Sequence, residues 1–117
     1  MTEIWTKQKL FDTVATHLLT QNEKSIDSHG NCVYRGTKGL KCAIGVLIPD
    51  ETYSADMEGE TAQDVLRQCG LVLDKGANHL AGSLQSLHDK YCVESWKDRL
   101  SVLADYNGLS PTALESF

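Results

Sequence analysis

The residues of this chain best suited to covalent chemistry are two cysteines and one histidine: Cys42, Cys32 and His88. Cys42 follows Lys41 near the start of a possible helix. There the positive end of the helix dipole and a nearby ammonium both favour thiolate over thiol. His88 would serve as the base of such a pair if the fold brought it close. Asp89 follows it directly, but side chains adjacent on a helix point about 100° apart, so Asp89 is expected to be poorly placed to orient that imidazole. The simpler expectation is that Cys42 packs in the core as a small apolar residue. On that reading His88 and Asp89 lie at a helix's wet edge, with His88 capping or bridging a loop.

Metal chemistry has one candidate set, His29-x2-Cys32 together with Cys42 and His88. Structural zinc sites draw their ligands as two tight pairs, and here only the first pair is tight. No Cys-x2-Cys pair exists, and no cofactor is expected. Cys32 and Cys42 could also face each other across a hairpin turning at 36–39, which would make a reversible disulfide conceivable. Packing of both thiols is the plainer outcome. Cys69 and Cys92 read as buried fillers.

The third kind of chemistry is recognition. Tyr34, Arg35, Tyr53, Trp5 and Trp96 are the residues most able to anchor a partner, because aromatic and arginine side chains dominate interface hot spots. Lys41 and Asp89 join Tyr34, Arg35 and Tyr53 as candidate binding contacts. Trp96 falls on an apolar stripe and is expected in the core. Segment 32–50 concentrates two cysteines, the Tyr34-Arg35 pair, a glycine-flanked turn and an apolar run, and it is the expected functional centre. The competing expectation pairs Arg35 with an acid such as Asp50 and spends Tyr34 on covering the core. The acidic loop carrying Asp50, Glu51, Asp56, Glu58 and Glu60 lacks calcium-loop spacing and reads as solvated. No Gly-x-Gly-x-x-Gly or Gly-x4-Gly-Lys-Ser/Thr signature is present in the sequence.

Helices must position these groups. Leu10, Phe11, Val14 and Leu18 recur at helical spacing and predict a helix over 5–22. Ala62, Val65, Leu66 and Cys69 predict another over 61–69, closed by Gly70. Leu80, Leu84, Leu87 and Tyr91 mark a helix over 79–91, with Asn78 as its N-cap. Trp96, Leu100, Leu103 and Tyr106 or Asn107 mark one over 93–107, stopped by Gly108. Ser110-Pro111 opens a last turn carrying Ala113 and Leu114. Cys32–Arg35 is β-prone, and 40–48 reads as strand or helix, its small residues favouring a helix. The predicted fold is a single α+β domain, mainly α, with at most one short hairpin or strand segment.

The chain has 117 residues, 41% hydrophobic and 23% charged, which fits one domain with its own core. A net charge of −5 disfavours nonspecific phosphate binding, so no nucleic-acid partner is expected. No apolar run approaches the roughly 20 residues that span a bilayer, and residues 1–7 have neither a basic nor an apolar leader region. These features predict a soluble protein of the cytoplasm without a membrane partner.

Two blocks carry a resemblance. One runs Cys32-Val33-Tyr34-Arg35-Gly36, then Gly39-Leu40-Lys41-Cys42-Ala43-Ile44-Gly45-Val46-Leu47-Ile48-Pro49-Asp50. The other is Leu84-Gln85-Ser86-Leu87-His88-Asp89 with Trp96 beyond it. Together they resemble short uncharacterised proteins of tailed phages, prophages and some bacteria. The resemblance implies an accessory protein of mobile-element type working in the host cytoplasm. The function expected on this basis is a noncatalytic binding module that occupies a host protein or sequesters a small molecule, in counter-defence for example. A homodimer is the expected assembly. The alternative is a cysteine-dependent hydrolase or transferase using Cys42 and His88.

Overall fold

A computed structural model describes residues 4–117; the part of the leader reading that falls on residues 1–3 lies outside them. Thr6 starts the first helix, its hydroxyl accepting from Lys9 N at 3.2 Å. That helix, α1 (Lys7–Gln21), buries Leu10, Phe11, Val14, Ala15 and Leu18 and ends at Asn22, which takes the left-handed conformation. Thr61 caps α2 (Ala62–Gln68), and Gly70, at φ 76°, closes it as expected. Helix α4 (Trp96–Tyr106) follows a single 3₁₀ turn over Val93–Ser95 and is stopped by Gly108, at φ 68°.

The longest helix, α3 (Lys75–Lys90), starts four residues before its predicted beginning. Its N-cap is Asp74, whose carboxylate accepts from Ala77 N at 2.8 Å, and not Asn78. The Asp74-Lys75-Gly76 run reads as a turn in isolation. In the fold, the Lys7 side chain lies over Gly76, its Cδ 2.8 Å from where a Cβ would sit. Helices α1, α2 and α4 all pack on α3. The stripe Leu80, Leu84 and Leu87 is buried beneath them, as are Trp96 and Leu100 of α4. Trp96 Nε1 donates to Tyr91 O at 3.1 Å, which gives the buried indole its partner.

The α+β class, mainly α, is what the chain adopts, and 56% of the described residues are helical, 3₁₀ turns included. Its sheet is not the expected hairpin. β1 (Ile4–Trp5) and β2 (Val72–Leu73) pair in parallel, Ile4 with Val72 and Trp5 with Leu73. Around 32–42 there are only isolated antiparallel bridges, Ile26 with Cys32 and Arg35 with Lys41. That register sets Tyr34 O against Cys42 N, at 3.2 Å, so Cys32 and Cys42 are not cross-strand partners. Residues 40–48 form neither a strand nor the favoured helix. They hold one 3₁₀ turn, Gly45–Leu47. The chain passes so close here that a Cβ on Gly45 would lie 2.0 Å from Tyr34 O. The apolar character of 40–48 therefore reflects burial in a looped segment, with Cys42, Ala43 and Ile44 fully enclosed.

Candidate functional site

Segment 23–60 is fastened to the helices by polar side chains. Ser25 is fully buried, and its N–H donates to His88 Nε2 at 3.1 Å. An accepting Nε2 carries no proton, so Nδ1 is the protonated nitrogen and donates to Asp89 Oδ1 at 2.7 Å. His88 is thus buried beneath the loop, not at a wet edge, though it does bridge a loop as expected. Asp89 does orient its ring, contrary to the angular argument. Nδ1 is the ring nitrogen nearest the backbone, so a carboxylate one residue on can reach it. Gln85 Nε2 holds the same carboxylate oxygen from one turn earlier, at 2.9 Å. His17 and Gln21 of α1 clamp Lys41: both donate to its carbonyl at 2.8 Å, and Lys41 N donates back to Gln21 Oε1. Burial holds the His17 imidazole below its ordinary pKa.

The expected recognition residues are bound into this framework. The Glu58 carboxylate accepts from Tyr34 N at 2.8 Å, Arg35 N at 3.2 Å and the Tyr53 hydroxyl at 2.7 Å. The Tyr34 hydroxyl donates to Glu60 O, and the residue is 7% exposed. Burial pushes both tyrosine hydroxyls up to about 12. Arg35 donates to Ile48 O at 2.7 Å, pairs with Asp50 at 2.7 Å and lies 4.7 Å from the Tyr53 ring centroid. That ion pair, with Lys41 3.7 Å away, holds the exposed Asp50 carboxyl below its usual range. The polar ends of Tyr34, Arg35 and Tyr53 are therefore engaged by this chain's own Glu60, Ile48, Asp50 and Glu58, in the arrangement expected if Arg35 pairs with Asp50 and Tyr34 covers the core. Glu58, read from sequence as part of a solvated loop, is the centre of the network.

The cysteines divide by environment. Cys42 is fully buried, and its sulfur accepts from Gly45 N at 3.2 Å. It packs in the core, as the simpler expectation had it, and burial pushes its thiol up to about 12, the reverse of the thiolate that the alternative drew from Lys41 and a helix terminus. Both nitrogens of His88 are engaged by Ser25 and Asp89, which leaves no basic lone pair for Cys42. Cys32 is exposed beside Asp89, and partial burial raises its thiol as well. Cys92, expected in the core, is exposed at the turn into α4, and Cys69 is half-buried.

Of the four metal candidates, the structure brings together only Cys32 and His88, joined by Asp89, with ligand atoms all within 4.8 Å; Cys42 and His29 lie outside this group. His29 is an exposed loop residue whose backbone is held by Asp27. Coordination through Nδ1 of His88 would require the proton to move to Nε2, directly against the Ser25 N–H. The trio is a buttress for the loop and does not fit a metal.

A second surface was not anticipated. Between α3 and α4 lies a groove of about 590 Å³. Gly82, Ser83, Ser86 and Leu87 of α3 and Leu103 of α4 line it. Lys90, Tyr91, Arg99, Val102 and Tyr106 stand around it. Tyr91, placed above on the α3 stripe, is 38% exposed; Tyr106, given there with Asn107 as alternatives for the α4 stripe, is 86% exposed, and Val102 is 64% exposed. Ala104 continues the buried stripe of α4 in place of Tyr106. The Arg99 guanidinium lies 4.2 Å from the Tyr91 ring centroid. The available sequence signal was Val102, an apolar residue off the Trp96–Leu100 stripe.

Comparison with protein-family models, curated proteins and solved structures finds no match.

Proposed function

We propose that this chain is a noncatalytic binding module that acts by occupying another protein through the α3–α4 groove. The observation that carries the reading is the groove's composition. Two tyrosines, an arginine and a valine stand exposed around a recess of about 590 Å³ on a small domain. Exposed apolar and aromatic groups gathered at one recess mark interaction sites, and Tyr and Arg are the side chains that hot spots favour. The resemblance to phage and prophage proteins supplies the setting within the same proposal: a host protein as partner and counter-defence as its purpose. The shallow walls favour a protein partner over a sequestered small molecule.

A photo-crosslinking residue placed at Val102, with a second at exposed Lys38 as control, tests this in host cells. The reading expects a discrete adduct from position 102 and none of that size from position 38. Identical adducts from both positions, or none from position 102, would refute it.

A further inference from the structure

Resting on that reading of the groove, we infer that its occupant is a helical segment of the partner protein, apolar along one face and acidic along the flank that meets Lys90 and Arg99. Charge is the first argument. The whole chain carries −5, yet His79, Lys90 and Arg99 line the groove and no carboxylate does among the described residues. The salt bridges of the described residues use other cations, so Lys90 and Arg99 face the groove without an anionic partner. The Tyr91 ring holds Arg99 in place without neutralising it, leaving its donor fork ready for a carboxylate. An excess of cations on an acidic protein selects an anionic partner and repels copies of its own groove.

Shape is the second argument. Gly82, Ser83 and Ser86 give the α3 side a lining of small residues, and Leu87 and Leu103 make part of the groove apolar. Both walls are helices, whose backbone N–H and C=O groups are spent internally. An extended peptide would find no backbone partners there, whereas a helix arrives with its own backbone satisfied. A small ligand is a poorer fit, because sites for such ligands enclose roughly 70–90% of the ligand surface. Here the rim residues Val102 and Tyr106 stand largely in solvent.

The test is a display library of helix-forming peptides, randomised on one face and both flanks, selected against the full chain. Selected peptides are then measured by fluorescence anisotropy against the wild type, Lys90→Glu with Arg99→Glu, and Val102→Asp. All three positions are at the surface, so melting points within a few degrees of wild type verify folding. The proposal expects Asp or Glu enriched along one flank beside an apolar face. It expects binding to weaken about tenfold or more in the charge-reversed variant. Binding should also weaken between about 0.1 and 1 M salt, where screening shortens from about 10 to 3 Å. Neutral or basic peptides that still require Val102 would overturn the acidic partner and leave the groove standing as a binding surface. An absence of enriched peptides, or binding untouched by Val102→Asp, would overturn the groove itself.

Discussion

Glu58→Ala should be among the most damaging substitutions of an acidic residue in this chain. The carboxylate accepts three hydrogen bonds, from Tyr34 N, Arg35 N and the Tyr53 hydroxyl. Bonds to a charged acceptor contribute about 1.5–3 kcal/mol each when well buried. Glu58 is only half-buried, so about 1 kcal/mol each is the better figure, or about 3 kcal/mol for the set. For a domain of this size, that lowers the thermal midpoint by about 10 °C. Glu58→Gln keeps one acceptor oxygen and turns an NH₂ toward a donor, so about half the loss is expected. Glu60→Ala is the control. Its side chain accepts only from exposed Gln68, and its backbone carbonyl, which Tyr34 uses, survives the change. That variant should stay within about 0.5 kcal/mol of wild type. Urea denaturation of the three variants decides the matter. A Glu58→Ala loss below about 1 kcal/mol, or equal losses at both positions, would refute the network as the fastening of segment 32–60.

Four further outcomes follow from the same geometry. Gly45→Ala should cost at least about 3 kcal/mol or prevent folding, since its Cβ meets Tyr34 O at 2.0 Å; near-native denaturation would contradict that close approach. Leu84→Ala should cost about 2–5 kcal/mol, because Leu84 is fully buried in α3, and chemical denaturation reads it directly. Cys42 should be the last thiol alkylated in the native protein near neutral pH, its thiol being buried and pushed up to about 12; rapid native-state labelling at that position by mass spectrometry would revive a nucleophilic role. Burial lowers the folded-state pKa of His17, so the unfolded chain binds a proton first as pH falls below the ordinary value of about 6.5. Stability from this group is therefore held above that pH and lost below it, and His17→Gln should flatten the decline between pH 7 and 5.5.

The helical architecture was legible because its signals are local. Apolar residues at 3.6-residue spacing located all four helices, and Gly70 and Gly108 marked real ends. What escaped depends on distant partners. The β1–β2 pair joins short segments far apart in sequence, which no local period announces. Segment 40–48 is apolar because it is buried, and burial alone does not specify strand, helix or loop. Tyr34 and Arg35 carried the residue types of a recognition site, but Glu58, Asp50 and Ile48 O determine which way their polar ends point. His88 and Asp89 were recognised as a pair, whereas the N–H that fixes the tautomer comes from Ser25 in a loop. The α3–α4 groove escaped because periodicity counted Tyr91, and Tyr106 as an alternative to Asn107, in the helical stripes, and both emerge at helix ends where the stripe runs out.

Backbone amide shifts are the most direct test of where the chain binds. The ¹⁵N-labelled protein would be titrated with the partner captured by crosslinking at Val102. The account predicts perturbations concentrated in 79–106, on the facing sides of α3 and α4, with Arg99, Val102 and Tyr106 among the largest. Perturbations concentrated in 32–60, with 79–106 unmoved, would contradict it.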